Sequence, residues 1–347
     1  PNAAPAPRHP PAPGHPPARP RPWELPLAAP TAAAARGARA PARTAGHRWH
    51  RLDRTVSPYL YLSPFFVVFG VFGLFPMLYT GYVSFTAWRA DRPGSEGQWV
   101  GFENYRKLLD DPFFWNAVKN TLGIGVLATV PQLLLALGLA HLLNYRMRGR
   151  TLMRLGVLLP NVTSVAAVTL IFVQLFGRDF GMVNWFLSLF GVDHIDWQAG
   201  TVSSWSAIAA IVTWRWTGYN ALLYLAAMQS VPFELYEAAA LDGASRWRQF
   251  RSITIPMLRP TILFTVIVST IGALQLFGEP MLFSQQQDPT TGGSQHQFQT
   301  LALYSYNQFW GRFKYGYGAA ISWAMFLLIV LVAAVNFLAA RRMRGAE

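Results

Sequence analysis

Residues 120–144 read NTLGIGVLATVPQLLLALGLAHLLN, twenty-five positions without Asp, Glu, Lys or Arg. A helix needs about 20 apolar residues to span the hydrocarbon of a bilayer. A soluble helix of that length keeps a polar stripe for water, and this stretch has no charge to form one. It reads as a membrane span. Five more stretches have the same character: residues 61–88, 155–177, 260–278 and 316–340 carry no charge, and 201–233 carries only Arg215. The chain is therefore expected to be all-α, a polytopic membrane protein with six transmembrane helices.

Composition agrees. Hydrophobic types make up 52% of the 347 residues and charged types 13%, against about 25% charged in a soluble domain. The net charge of +13 invites comparison with nucleic-acid binders or membrane surfaces, so its placement matters. Twenty Arg residues fall before residue 60, in 145–154, in 246–259 and after 340. Eight Arg and Lys fall on the opposite side, offset by nine carboxylates such as Asp91, Asp111 and Asp288. Basic loops stay cytoplasmic, so both termini are expected in the cytoplasm, and the charge calls for no nucleic acid. The absence of cysteine excludes a disulfide framework, a zinc–thiolate site and a cysteine nucleophile.

Residues 1–50 are mostly Pro, Ala, Arg, Gly and His, with little to bury, and are expected to form a disordered cytoplasmic tail. The following apolar stretch is too long for a secretory signal. Because the first residue is Pro1, the natural N-terminus is expected upstream, or to have been trimmed. On the outer side, 181–190 (GMVNWFLSLF) reads as a short interfacial helix, and the polar loop 285–299 is expected to be exposed and mobile.

The most informative loop is 231–256, VPFELYEAAALDGASRWRQFRSITIP. Pro232 suits a first helical turn, and Glu234 in that turn favours the helix dipole. Ala238, Ala239 and Ala240 are strong helix formers with a thin profile. Gly243 supplies a C-terminal cap, Ser245 an N-cap for a second helix, and Pro256 is expected to end it. Trp247, Phe250 and Ile253 share one face of that second helix. A thin helix with a protruding carboxylate fits a partner's groove; a helix–turn–helix that only joins two spans has the same spacing, and the residues leave both open.

Glu237-Ala238-Ala239, Asp242-Gly243-Ala244 and Ile253-Thr254-Ile255-Pro256 resemble the EAA loop of ABC importer permeases. Phe102-Glu103-Asn104-Tyr105 and the Gly181-x-x-Asn184 exit of the third span resemble the carbohydrate branch of that family. The resemblance covers about residues 57–345 and implies a type I ABC importer permease-like domain there, with the coupling loop at 231–260. It implies that Glu237, Ala238, Ala239, Asp242, Gly243 and Pro256 belong to a helix docking on a separate ATPase. It further implies a second, non-identical permease subunit, two ATPase subunits and an extracytoplasmic sugar-binding protein. No cofactor is expected on this chain, since ATP would be bound by the ATPase subunit.

Within the membrane, ionisable and amide side chains are functional suspects. Sugar recognition needs hydrogen-bonding groups for hydroxyls and aromatic faces for C–H surfaces. The fourth and fifth spans offer Trp216, Tyr219, Asn220, Ser269, Gln275 and Glu279 as a substrate pathway. Arg215 snorkels, pairs across the bundle or lines the pathway; the sequence leaves these open. His141 and Asn336 read as structural. No Walker-type phosphate loop or metal motif occurs. An ion-coupled secondary transporter would need buried carboxylates or broken helices at the midplane, and a membrane-embedded enzyme clustered acidic or His residues; neither pattern is evident. The expected cargo is a di- or oligosaccharide, with a cellobiose-like β-linked disaccharide suggested by 276–280 and 299–301. The alternative is another polar solute such as a glycerophosphodiester or polyol.

Overall fold

The computed structural model describes residues 46–145 and 148–344; the regular elements among these are all helices, with one isolated bridge between Thr86 and Trp99 as their only β-type pairing. The expected tail 1–50 lies outside the described residues up to residue 45. Its last five residues are already helical, because α1 spans Gly46–Phe69. Two compact units divide at Val67 and Val68. The described part of the first is the beginning of α1, and all the remaining elements belong to the second.

After α1 come a π turn at Gly70–Leu74 and α2 (Phe75–Ser84), then α3 (Glu103–Leu109) and α4 (Pro112–Leu143). Next are α5 (Arg150–Val162), α6 (Val165–Leu175), α7 (Met182–Ser188) and α8 (Thr201–Gln229). The loop after α8 holds α9 (Phe233–Leu241), α10 (Arg246–Gln249), a π turn at Phe250–Thr254 and α11 (Ile255–Met257). The chain closes with α12 (Arg259–Leu274), α13 (Gly278–Phe283), α14 (Leu301–Tyr306) and α15 (Tyr315–Arg344).

Among the described residues, three helices are long and apolar enough to cross a membrane: Tyr59–Ser84, Pro112–Leu143 and Tyr315–Ala339. Two bent pairs raise the number to five: α5 with α6, bent by 92°, and Arg246–Met257 with α12, bent by 68°. The third stretch, 155–177, is thus no straight rod. Thr163 and Ser164 have extended ψ angles of 145° and 134°, which break the helix two residues after Pro160–Asn161. The expected end of a helix at Pro256 is also displaced. Pro256 sits inside α11, and the bend follows at Leu258. The π turn before it supplies the reason: Ile255 N–H reaches back five residues to Phe250 C=O, so the ladder is already widened where proline has no donor.

The 29-residue helix α8 is not among those apolar enough to cross, although it is long enough. Its position accounts for this. Residues along its length, including Ser204, Ile208, Ile211, Arg215, Asn220 and Tyr224, are buried within the protein, so its surface need not dissolve in lipid. It packs along α4 through small side chains, with Ala128, Ala136 and Ala140 buried on one helix and Ala207, Ala209 and Ala221 on the other. In lipid, apolar surface gains little from burial against another helix, and close approach of small residues supplies the packing instead. Gly218 of α8 carries this furthest: a Cβ there would lie 1.7 Å from Val157 O of α5.

The connecting segments are pinned. Asn104 donates to Ser84 O (2.9 Å) and Thr86 O (2.8 Å). Asn184 of α7 donates to Arg178 O and Ile195 O, both at 2.8 Å, and accepts from Trp197 Nε1 at 2.9 Å. These bonds give the two sequence motifs a local reason. The loop 285–299 departs from expectation. Gln285, Gln286 and Gln287 are exposed, but Gln297, Phe298 and Gln299 are buried. Asn116 and Asn120 of α4 donate to His296 O at 2.7 and 2.8 Å, and Gln299 Nε2 donates to Thr290 O at 2.7 Å. The polar composition that suggested mobility serves instead to satisfy a backbone tucked into the bundle.

Candidate functional site

Two helices break near one another, and a cavity of about 410 Å³ lies at the breaks. One break is at Thr163–Ser164, after which Val165 starts α6. The other is at Gln275–Phe277, between α12 and α13. Both Val165 and the 275–277 turn line the cavity. Irregular backbone at membrane depth is tolerated only where protein or a water-filled cavity satisfies it.

All six residues singled out from the fourth and fifth stretches line this one cavity: Trp216, Tyr219 and Asn220 from α8, Ser269 from α12, and Gln275 and Glu279 beyond its end. Trp216 and Tyr219 meet edge to face with ring centroids 5.9 Å apart. Asn220 is buried and donates to Trp216 O at 3.3 Å. The lining therefore combines amides and a hydroxyl with aromatic faces, the pairing that a polyhydroxylated ligand requires.

Sequence reasoning missed Gln132 of α4, which lines the cavity and donates to Ser269 Oγ at 3.3 Å. The signal was present: an amide in the middle of an uncharged span is expensive unless it faces protein or water. Phe277 was missed as well, and its apolar side chain offers no comparable signal.

For Arg215 the structure selects pairing across the bundle and a place on the cavity. Its Nη1 donates to Glu279 Oε1 at 2.6 Å, and the two side chains are only 8% and 7% exposed. Glu279 is thus a buried carboxylate, and with the two broken helices it corrects the expectation that the membrane region shows neither feature. The carboxylate is paired with a guanidinium on another helix. A charge left alone at this depth would cost several kcal/mol. Arg215 Nε is buried without a hydrogen-bond partner.

At the other end of α8 the loop 231–256 forms the anticipated helix–turn–helix. Pro232 is the N-cap of α9 rather than its first residue, and Glu234 lies in the first turn. The turn after α9 is a Schellman motif. Gly243 has φ = 77°, its N–H donates to Ala240 O at 3.0 Å, and Ala244 N–H donates to Ala239 O at 2.9 Å. A left-handed residue at this position is the glycine requirement of that motif. Ser245 Oγ accepts from Arg248 N–H at 3.3 Å and caps α10. Helix α9 buries none of its residues, and Glu237, Ala238 and Asp242 are exposed together with Phe233, Leu241 and Trp247.

The second half of the loop is anchored. Phe250 is buried among Ala136, Ala140 and Leu143 of α4 and Tyr224, Leu225 and Met228 of α8, and its ring lies 4.2 Å from that of His141. Tyr236 Oη and Thr254 Oγ1, 2.9 Å apart, tie α9 to the segment leading into α11. Of the shared face expected for α10, Phe250 is buried, Ile253 is half-buried and Trp247 is two-thirds exposed.

The model of the family described as the binding-protein-dependent transport system inner membrane component matches residues 132–345, which include the cavity and the exposed loop. The lactose transport system permease protein LacF of Rhizobium radiobacter is 39% identical over 246 residues, 70% of this chain and 80% of that protein. The sulfoquinovosyl glycerol transport system permease protein SmoG of Agrobacterium fabrum is 34% identical over 291 residues, 83% and 91% of the two chains. A chain of a bacterial ABC transporter involved in import of the acidic polysaccharide alginate superposes with a TM-score of 0.72 at 24% identity, covering 85% of this chain and 99% of its own, and so shares the fold. The chain belongs to the family of inner membrane components of binding-protein-dependent transport systems.

Proposed function

We propose that this chain is the permease subunit of an ATP-driven carbohydrate importer, and that the cavity at the two helix breaks is its share of the sugar route. The observation that carries the reading is convergence: Trp216, Tyr219, Asn220, Ser269, Gln275 and Glu279, spread over sixty-four residues of sequence, line one cavity. The relative named for lactose supports a glycoside as cargo. The chain is a transport component and performs no chemistry itself.

The exposed helix α9 is the docking element for a separate ATPase, with Glu237, Ala238, Ala239, Asp242 and the Gly243 turn at the contact and Pro256 at the root of the bend. Its Phe233, Leu235 and Leu241 have no cover among the described residues, which a docked partner would provide. The assembly comprises a second, non-identical permease, two ATPase subunits that bind the ATP, and an extracytoplasmic sugar-binding protein. In this reading α8 is the remaining span, so that six cross the membrane with both termini in the cytoplasm. A tagged copy purified from its native host should bring an ATPase and a second permease with it and support sugar-stimulated ATP hydrolysis after reconstitution. Purification of the chain alone, with sugar uptake independent of ATP, would refute the reading.

A further inference from the structure

Sixteen residues line the cavity, and Arg215 and Glu279 are the only charged ones among them. Their side chains meet at 2.6 Å, and both are more than nine-tenths buried. The lining is therefore electrically neutral, with one cation and one anion whose fields largely cancel beyond their own separation. We propose that this pair makes the route selective for uncharged saccharides and excludes acidic ones, a specificity role that rests on the cavity being the sugar route.

The chemistry of the two ligand classes differs at this pair. A sugar hydroxyl is both donor and acceptor. It can accept from the Arg215 guanidinium and donate to Glu279, both of which line the cavity, the carboxylate being held by Arg215 through Oε1. The bridge then stays intact, and Trp216, Tyr219 and Phe277 offer faces to the ring. A uronic acid brings a carboxylate, which accepts but cannot donate. It would lie close to the buried Glu279, where like charges repel more strongly than in bulk solution, and it would find the cavity's one guanidinium already engaged. Its own desolvation would go uncompensated. The polar neighbours Gln132, Asn220, Ser269 and Gln275 are neutral and supply no second cation.

The test uses the assembled, purified transporter without its binding protein, so that no upstream selection intervenes. It is incubated with an equimolar mixture of neutral oligosaccharides (glucan, galactan and arabinan hydrolysates) and oligogalacturonides of matched length, and retained sugars are identified by mass spectrometry. The wild-type complex should retain neutral species at least about tenfold over acidic ones, as one unfavourable charged contact can impose. Glu279→Gln leaves the guanidinium unmatched, and the acidic-to-neutral ratio should rise about tenfold or more. The double variant Arg215→Gln/Glu279→Gln keeps volume and hydrogen bonding without charge. It guards against misfolding of the single variant, and its ratio should return toward wild type. Equal retention of both classes by the wild type overturns the proposal while leaving the route intact. A ratio that rises as much in the double variant as in the single one also overturns it, because no freed cation is then responsible. Retention of no sugar by any variant refutes the cavity as the route, and the proposal with it.

Discussion

Replacing Gly243 by valine separates coupling from folding. The residue sits at φ = 77°, where a side chain costs about 1–2 kcal/mol and a β-branched one is a true outlier. A Cβ at Gly243 would meet no atom within 4 Å, so the penalty is conformational and owes nothing to packing. If the backbone escapes by leaving the left-handed region, it gives up the bonds from Gly243 N–H to Ala240 and from Ala244 N–H to Ala239, each worth about 1 kcal/mol. Either route costs about 2 kcal/mol, or about thirtyfold in the population of the native turn. The turn lies outside the membrane-spanning helices, so insertion and abundance should be unchanged. Sugar-stimulated ATP hydrolysis by the reconstituted complex should fall about tenfold or more, on that thirtyfold scale. Gly243→Asn, which tolerates the left-handed region, should stay near wild type, with Gly243→Ala between the two. Full stimulation in the valine variant would refute the claim that this turn sets the docking helix.

Gly218→Val should lower the melting temperature or yield of the complex, because a Cβ there would approach Val157 O to 1.7 Å and overpacking costs about 1–3 kcal/mol; unchanged thermal stability would deny the close approach of α5 and α8. Tyr219→Ala and Gln275→Ala should each weaken sugar uptake at low concentration, by about 1 kcal/mol in apparent affinity, with basal ATP hydrolysis intact; unchanged uptake in both would move the route away from this cavity. A reporter fused after Arg344 should read cytoplasmic and one inserted at Gln287 external; both on one side would refute the six-span arrangement.

The spans were legible because charge is so costly in hydrocarbon that its absence over residues 120–144 or 316–340 admits few other readings. The cavity's lining was legible for the same reason turned around: a polar side chain at depth must face protein or water, which singles out Tyr219, Asn220 and Gln275. What escaped were relations between distant residues. Glu279 lies 64 positions from Arg215, and nothing local in either segment signals the other. The break at Thr163–Ser164 also escaped, because hydroxyl residues are ordinary inside membrane helices and a 92° bend depends on what packs against each half. The loop 285–299 misled because Gln and Gly favour exposed turns as readily as they satisfy a buried backbone. The Gly243 turn needed no tertiary information, since a Schellman cap is closed by six consecutive residues.

The two functional regions are joined by a single element. Helix α12 begins at the 68° bend after the exposed loop and ends at Gln275 on the cavity. Its sixteen residues span about 24 Å. Along the way it is held by polar contacts: Thr265 Oγ1 lies 2.6 Å from Tyr224 Oη of α8, and Ser269 Oγ accepts from Gln132 of α4 at 3.3 Å. The α4–α8 contact also has a hydrogen bond, from Thr213 Oγ1 to Ala128 O at 3.2 Å, but adds buried small side chains in close approach, Ala128, Ala136 and Ala140 on α4 and Ala207, Ala209 and Ala221 on α8. Side-chain hydrogen bonds between membrane helices average only about 0.6 kcal/mol, because a shifted helix finds other partners. Interlocked small residues have no equivalent alternative register. Under the proposed function, a displacement delivered at the loop would therefore move α12 against a fixed α4–α8 frame. The cavity would respond first at Ser269 and Gln275, the lining residues that α12 carries or ends on, while Trp216, Tyr219 and Asn220 stay with the frame.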